Sequence, residues 1–136
     1  MMRDLIKLVE AAHFLPATPE NIEKAKAFVF EKWKERAAER GAPEPADLSY
    51  ACKFSSLFAQ RIFGGELRGN IDHQFLRTWD GQIVDLNLDA ADVRELGADA
   101  HEHDEDWFGC DEHEESMASC IPRVDKWVAQ FRQLVA

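Results

Sequence analysis

The sequence predicts an α+β fold, helices packed on a small antiparallel sheet, and three observations carry that prediction. Apolar residues recur at helical spacing before Gly64 and again after Cys120. Between Glu66 and Leu88 the pattern changes to alternation, broken by Asp80 and Gly81, which is the signature of strands joined by a tight turn. Gly64 and Gly65 stand where one periodicity gives way to the other. At 136 residues and 46% hydrophobic content, the chain can build one core without metals or disulfides, so residues 1–136 read as one domain.

Each element follows from its own signals. Leu5, Ile6, Leu8, Val9 and Ala12 give a short helix over residues 2–13, closed by Pro16. Thr18, Pro19 and Glu20 open a second helix that places Ile22, Ala25, Phe28, Val29 and Trp33 on one face and stops at Gly41. The proline-rich "GAPEPADL" is a loop. A third helix runs from Tyr50 to Phe63, with Cys52 in its first turn, and "GG" ends it. "ELRGNI", "HQFLRTW" and "QIVDLNL" are strand candidates. The acid-rich stretch after them is a loop with at most one short helix, and "CIPRVDKWVAQFRQLVA" is a terminal helix with Pro122 near its first position. Phe28, Phe30, Trp33, Trp127 and Phe131 have the spacing of core contacts, and no glycine-rich phosphate loop follows a strand.

Charge narrows the function. With 26 acidic and 16 basic residues and a net charge of -10, the field of the molecule repels nucleic acid and anionic membrane surfaces. No apolar run approaches the roughly 20 residues a membrane span needs, and Asp4, Lys7 and Glu10 interrupt the N-terminal segment where a signal peptide is apolar. Cys52, Cys110 and Cys120 are odd in number and sparsely spaced, as in a reducing compartment, so a cytoplasmic location is expected.

The chemistry points to Cys52, His73 and Asp85. A cysteine in the first turn of a helix meets free N–H groups and the positive end of the helix dipole, both of which favour the thiolate. A nucleophile of this kind needs an imidazole to exchange its proton and a third group to orient that imidazole. With a three-residue turn at Trp79, Asp80 and Gly81, Thr78 faces Gln82, Phe75 faces Asp85 and His73 faces Asn87. His73 and Asp85 then share a face as diagonal neighbours, and Asn87 directly opposite His73 is the rival orienter. An ionised carboxylate also stabilises an imidazolium, which favours Asp85.

In that order, and with the runs "FAQRIFGGEL", "DHQF" and "DGQIVDLN", the chain resembles the transglutaminase-like branch of the papain-like cysteine hydrolase superfamily, small bacterial proteins of unassigned activity among them. The similarity covers about residues 48 to 89. It implies a helix packed on an antiparallel sheet, Cys52 as nucleophile, His73 as base and acid, Asp85 as orienter, a peptide or carboxamide substrate and no cofactor. Ser49, Tyr50 and Ala51 stand where related sequences often carry a glutamine before the cysteine, so the side-chain oxyanion donor is unassigned, and Gln74 and Phe75 replace the more usual aromatic pair after the histidine.

Two other readings compete. The same fold can serve as an inactive binding module, and His101, His103, Cys110, His113 and Cys120 supply nitrogen and sulfur ligands suited to zinc, although their spacing matches no standard finger. The default for that region is a solvated acidic loop. Following Asp85 directly, it can also wall the Cys52 site, with Glu102, Asp104 and Asp106 favouring cationic or neutral substrates and Trp107 and Phe108 giving apolar contact.

Overall fold

The hydroxyl of Thr18 accepts the Asn21 N–H at 3.2 Å, and Pro19 takes the next position, so helix α1 (Pro19–Glu39) starts where its sequence signals stand. In the computed structural model, which describes residues 15–135, it is followed by helix α2 (Cys52–Phe63) and strands β1 (Glu66–Gly69), β2 (Gln74–Arg77) and β3 (Ile83–Val84). Helix α3 (Ala91–Leu96), a 3-10 turn (Gly97–His101), helix α4 (Glu105–Phe108) and helix α5 (Asp111–Val135) complete the α+β arrangement. The helix expected over residues 2–13 lies outside the described residues.

Helix α2 is the centre of the packing. Every residue from Ser55 to Gln60 is buried, as are Ile62 and Phe63, so this helix has no solvent face over most of its length. It lies between α5 and strand β2. Phe58 on α2, Phe28 on α1 and Phe131 on α5 meet with centroids 5.2 to 5.6 Å apart, and Trp33, Phe54 and Trp127 form a second cluster across the same three helices. The helical spacing of these rings thus reports the core, as expected. Among the described residues no helix is long and apolar enough to cross a membrane.

The sheet is antiparallel, in the order β1-β2-β3. Leu76 pairs with Val84 and Arg77 with Ile83, while Thr78 donates its N–H to the Gln82 carbonyl at 2.8 Å around Gly81, whose φ of +90° is the left-handed turn position. The three-residue turn and its register are therefore those anticipated. The third strand is shorter than anticipated, because the chain leaves the ladder after Val84, so Asp85 follows β3 instead of lying within it.

Two further expectations are corrected. The acid-rich stretch is largely helical, forming α3, the 3-10 turn, α4 and the first turns of α5. Asp104 caps α4 by accepting the Trp107 N–H, and acidic residues crowd the first turn of α5, where the helix dipole favours them. Pro122 sits inside α5 and does not begin it. Buried Met117 and Cys120 extend the core face of α5 ahead of the proline, and that packing outweighs the backbone hydrogen bond a proline removes.

The link between β1 and β2 fixes the position of His73. Asn70 accepts the N–H groups of Asp72 and His73 on Oδ1, and its own N–H reaches the His73 carbonyl at 2.9 Å. A Cβ on Gly69 would lie 2.5 Å from the His73 carbonyl oxygen and 2.9 Å from the Gln74 Cα, so only glycine lets the strands approach here. Gly69→Ala is expected to lower stability by roughly 1 to 3 kcal/mol. An unchanged urea midpoint would contradict this account of the close approach.

Candidate active site

Cys52 is the first residue of α2, and the loop that delivers it is tied down on one side by α3. Asp47 accepts the N–H groups of Ser49 and Ala91, and Asp92 accepts the Tyr50 N–H at 2.8 Å. Tyr50 is held at φ +67°, the one non-glycine residue with positive φ among those described, two positions before Cys52. The Asn87 amide fastens the same loop by donating to the Leu48 carbonyl at 2.8 Å. The Asn87 amide nitrogen thus supports the cysteine loop and is not the group bonded to His73.

The group bonded to His73 is Asp85. His73 Nε2 lies 2.7 Å from Asp85 Oδ2, with the two side chains 1% and 4% exposed. The second carboxylate oxygen accepts the Asn87 backbone N–H at 3.0 Å, which fixes the carboxylate plane. Burial alone would raise the Asp85 pKa, but its hydrogen bond and attraction to His73, with those from His101 and the Asn87 N–H, hold it below the usual carboxylate range. Burial likewise disfavours a charged His73, yet hydrogen bonds to Asp85 and Cys52 and the negative charges beside it raise the ring to about 9. With Nε2 engaged by Asp85, Nδ1 is the nitrogen left for the sulfur.

Two residues complete the constellation. His101 brings its Nε2 to the same Asp85 oxygen at 2.8 Å, so one carboxylate oxygen joins two imidazoles. Gln74 Oε1 accepts from Cys52 Sγ at 3.3 Å, while its NH2 group donates to the Asn70 carbonyl at 3.1 Å. Anchored this way, Gln74 presents its carbonyl to the thiol and commits one N–H of its amide to Asn70. The thiol opens onto a cleft of about 160 Å3 bordered by Tyr50, Lys53, Asp72, Gln74, Asp92 and Trp107. A larger, mostly apolar cleft of about 370 Å3 lies between α1 and residues 46–48 and 86–90, and none of Cys52, His73 and Asp85 lines it.

The five residues weighed as zinc ligands are not brought together. His101 is on Asp85; His103 accepts the Gly69 N–H at 3.0 Å and reaches Glu105; Cys110 is half-buried. Cys120 is buried in the core, where burial pushes its thiol pKa up. The His113 ring packs at a tilt against Trp107 and Phe108, with centroids 4.2 and 4.7 Å away, and neither ring nitrogen is hydrogen-bonded among the described residues. Trp107 does border the Cys52 cleft, but the acids beside it are Asp72 and Asp92, not Glu102, Asp104 and Asp106, and Phe108 packs against the core. His101 as a partner of Asp85, and Gln74 as the partner of the thiol, were not assigned these places from sequence. For Gln74 the signal was its position directly after His73. For His101 there was none, since a 3-10 turn carries it back from a distance of 16 residues. Compared with known protein families, curated proteins and solved structures, the chain gave no match in any of the three.

His113 makes a clean pH test. Burial, followed by the nearby Lys53 charge, lowers it to about 4. Because the folded value lies below the ordinary value of about 6.5, the unfolded chain binds more protons between the two. The stability that comes from a neutral His113 is complete above about pH 6.5 and lost as pH falls towards 4. At about 1.4 kcal/mol per pKa unit, roughly 2 kcal/mol is gone by about pH 5. In His113→Leu, urea unfolding should lose this part of the acid sensitivity and keep its midpoint at neutral pH; an acid slope equal to that of the parent would contradict the assignment.

Proposed function

We propose that the protein is a cysteine-dependent enzyme acting on amide bonds through a Cys52, His73 and Asp85 triad, in the manner of the transglutaminase-like branch of papain-like hydrolases. The observation that carries the reading is a buried imidazole bonded to a buried carboxylate, with the next residue, Gln74, meeting the thiol of Cys52 at the start of a buried helix beside an open cleft. As a thiol Cys52 donates to Gln74 Oε1; in the scheme it reacts after losing that proton, as a thiolate whose counter-charge is the His73 ring, which keeps its proton up to about pH 9.

In this scheme the Cys52 sulfur adds to the carbonyl carbon, and the oxygen takes the negative charge. The Cys52 backbone N–H, at the first position of α2, has no acceptor within the helix and is available to that oxygen. His73 delivers its proton to the leaving amine as the C–N bond breaks, which leaves a thioester. Water or a second amine, losing its proton to the now neutral His73, then displaces the sulfur and restores the starting state. Two carboxylates, Asp72 and Asp92, and one ammonium, Lys53, border the cleft, a lining of net negative charge that favours neutral or cationic substrates.

The Gln74 orientation favours one competing reading, a binding module that keeps the fold and lacks the full oxyanion site. Thiol reactivity separates the two. Alkylation of Cys52 by iodoacetamide at neutral pH should run at least about tenfold faster than that of a free cysteine peptide and lose that advantage in His73→Ala. A rate equal to the peptide's, unchanged by His73→Ala, would favour the binding module and overturn the enzymatic reading.

A further inference from the structure

We infer that His73, Asp85 and His101 form a binding site for one divalent transition-metal ion, with Zn2+ the best fit, and that an ion held there blocks Cys52 chemistry. The blocking part rests on the triad proposed above; the binding part does not. Each of the three residues offers one ligand atom, and these atoms all lie within 4.8 Å of one another. Both ring nitrogens already point at a single carboxylate oxygen, at 2.7 and 2.8 Å. Zinc binds imidazole nitrogen and carboxylate oxygen at about 2.0 to 2.2 Å, so donors around one ion stand roughly 3 to 3.5 Å apart. A widening of a few tenths of an ångström admits the ion between them.

The surroundings suit such a site. The other carboxylate oxygen is fixed by the Asn87 N–H, and the His101 ring rests edge-on against Phe75 at 4.9 Å, so two of the ligands are oriented before any ion arrives. His73 and Asp85 are nearly sealed, whereas the His101 side chain is 27% exposed, which gives the ion its entry and water a fourth position. Two nitrogens and one oxygen select zinc-like ions over the oxygen-seeking Mg2+ and Ca2+.

Metal and triad compete for the same atoms. A ring that ligates through Nε2 cannot donate from Nε2 to Asp85, and it carries its remaining proton on Nδ1. His73 in that state faces the sulfur with a proton it cannot exchange for another, so the imidazole is lost as a base.

The test uses the full chain, stripped with chelator, and Zn2+ by equilibrium dialysis, with Co2+ absorption as a coordination readout. The parent and Cys52→Ser should each bind one ion per chain, and His101→Gln, which retains a polar group beside Asp85, should bind at least about tenfold more weakly with an unchanged urea midpoint. Asp85→Asn provides a second ligand variant. Unchanged Zn2+ binding in both ligand variants would mean that acidic surface groups hold the ion, and loss of binding in Cys52→Ser would mean that the thiol is a ligand; either result overturns the site. Zn2+ should slow Cys52 alkylation in the parent and not in His101→Gln, and equal slowing in both overturns the blocking. A parent whose metal-free thiol reacts like an ordinary cysteine defeats the enzymatic reading alone, because dialysis does not read the thiol.

Discussion

One buried carboxylate organises the cluster around His73. Asp85 receives two imidazoles on one oxygen and a backbone N–H on the other, with 4% of its side chain exposed. An ionised carboxylate in such a place is unfavourable unless its partners compensate for lost hydration, and here three donors do so. The same contacts explain why His73 holds its proton against burial. Removing Asp85 therefore changes more than one bond: it frees two rings and leaves a buried imidazole without the group that justifies its charge.

The scaffold around Asp85 works by making short segments obligatory. The Asn70 turn fixes His73 just ahead of β2, the Gly81 turn sets the register that returns the chain to Asp85, and Asn87 ties the loop before Cys52 to the segment after β3. Helix α2 is buried along most of its length, so its first residue cannot drift relative to the sheet. Tyr50 in a left-handed conformation is the strained point of this arrangement, and its hydrogen bond to Asp92 holds it there. Rigidity on three sides leaves the cleft at Cys52 as the open one.

Much of this was legible because it is local. Helix periodicity, the Thr18 and Pro19 start, the double glycine after Phe63 and the Asp80 and Gly81 turn depend on neighbours in sequence, and the hairpin register then put His73 and Asp85 on one face. What escaped is non-local or depends on competition between weak preferences. Acidic residues from Asp89 to Glu115 read as solvated loop, but caps and helix dipoles turn many of them into helix starts. Pro122 has the local propensity of a helix start, whereas the core contacts of Met117 and Cys120 that carry the helix through it are not local. His101 reaches Asp85 through a 3-10 turn whose path no periodicity announces, and Asn87 went to a backbone carbonyl that pairing rules between strands do not include.

The most direct test of the Asp85-centred account is an NMR titration of the His73 ring, in the parent and in Asp85→Asn. The account predicts a midpoint at about 9 in the parent, falling to the ordinary histidine range or below it once the carboxylate is neutralised. A parent midpoint at or below the ordinary value of about 6.5, insensitive to Asp85→Asn, would contradict it.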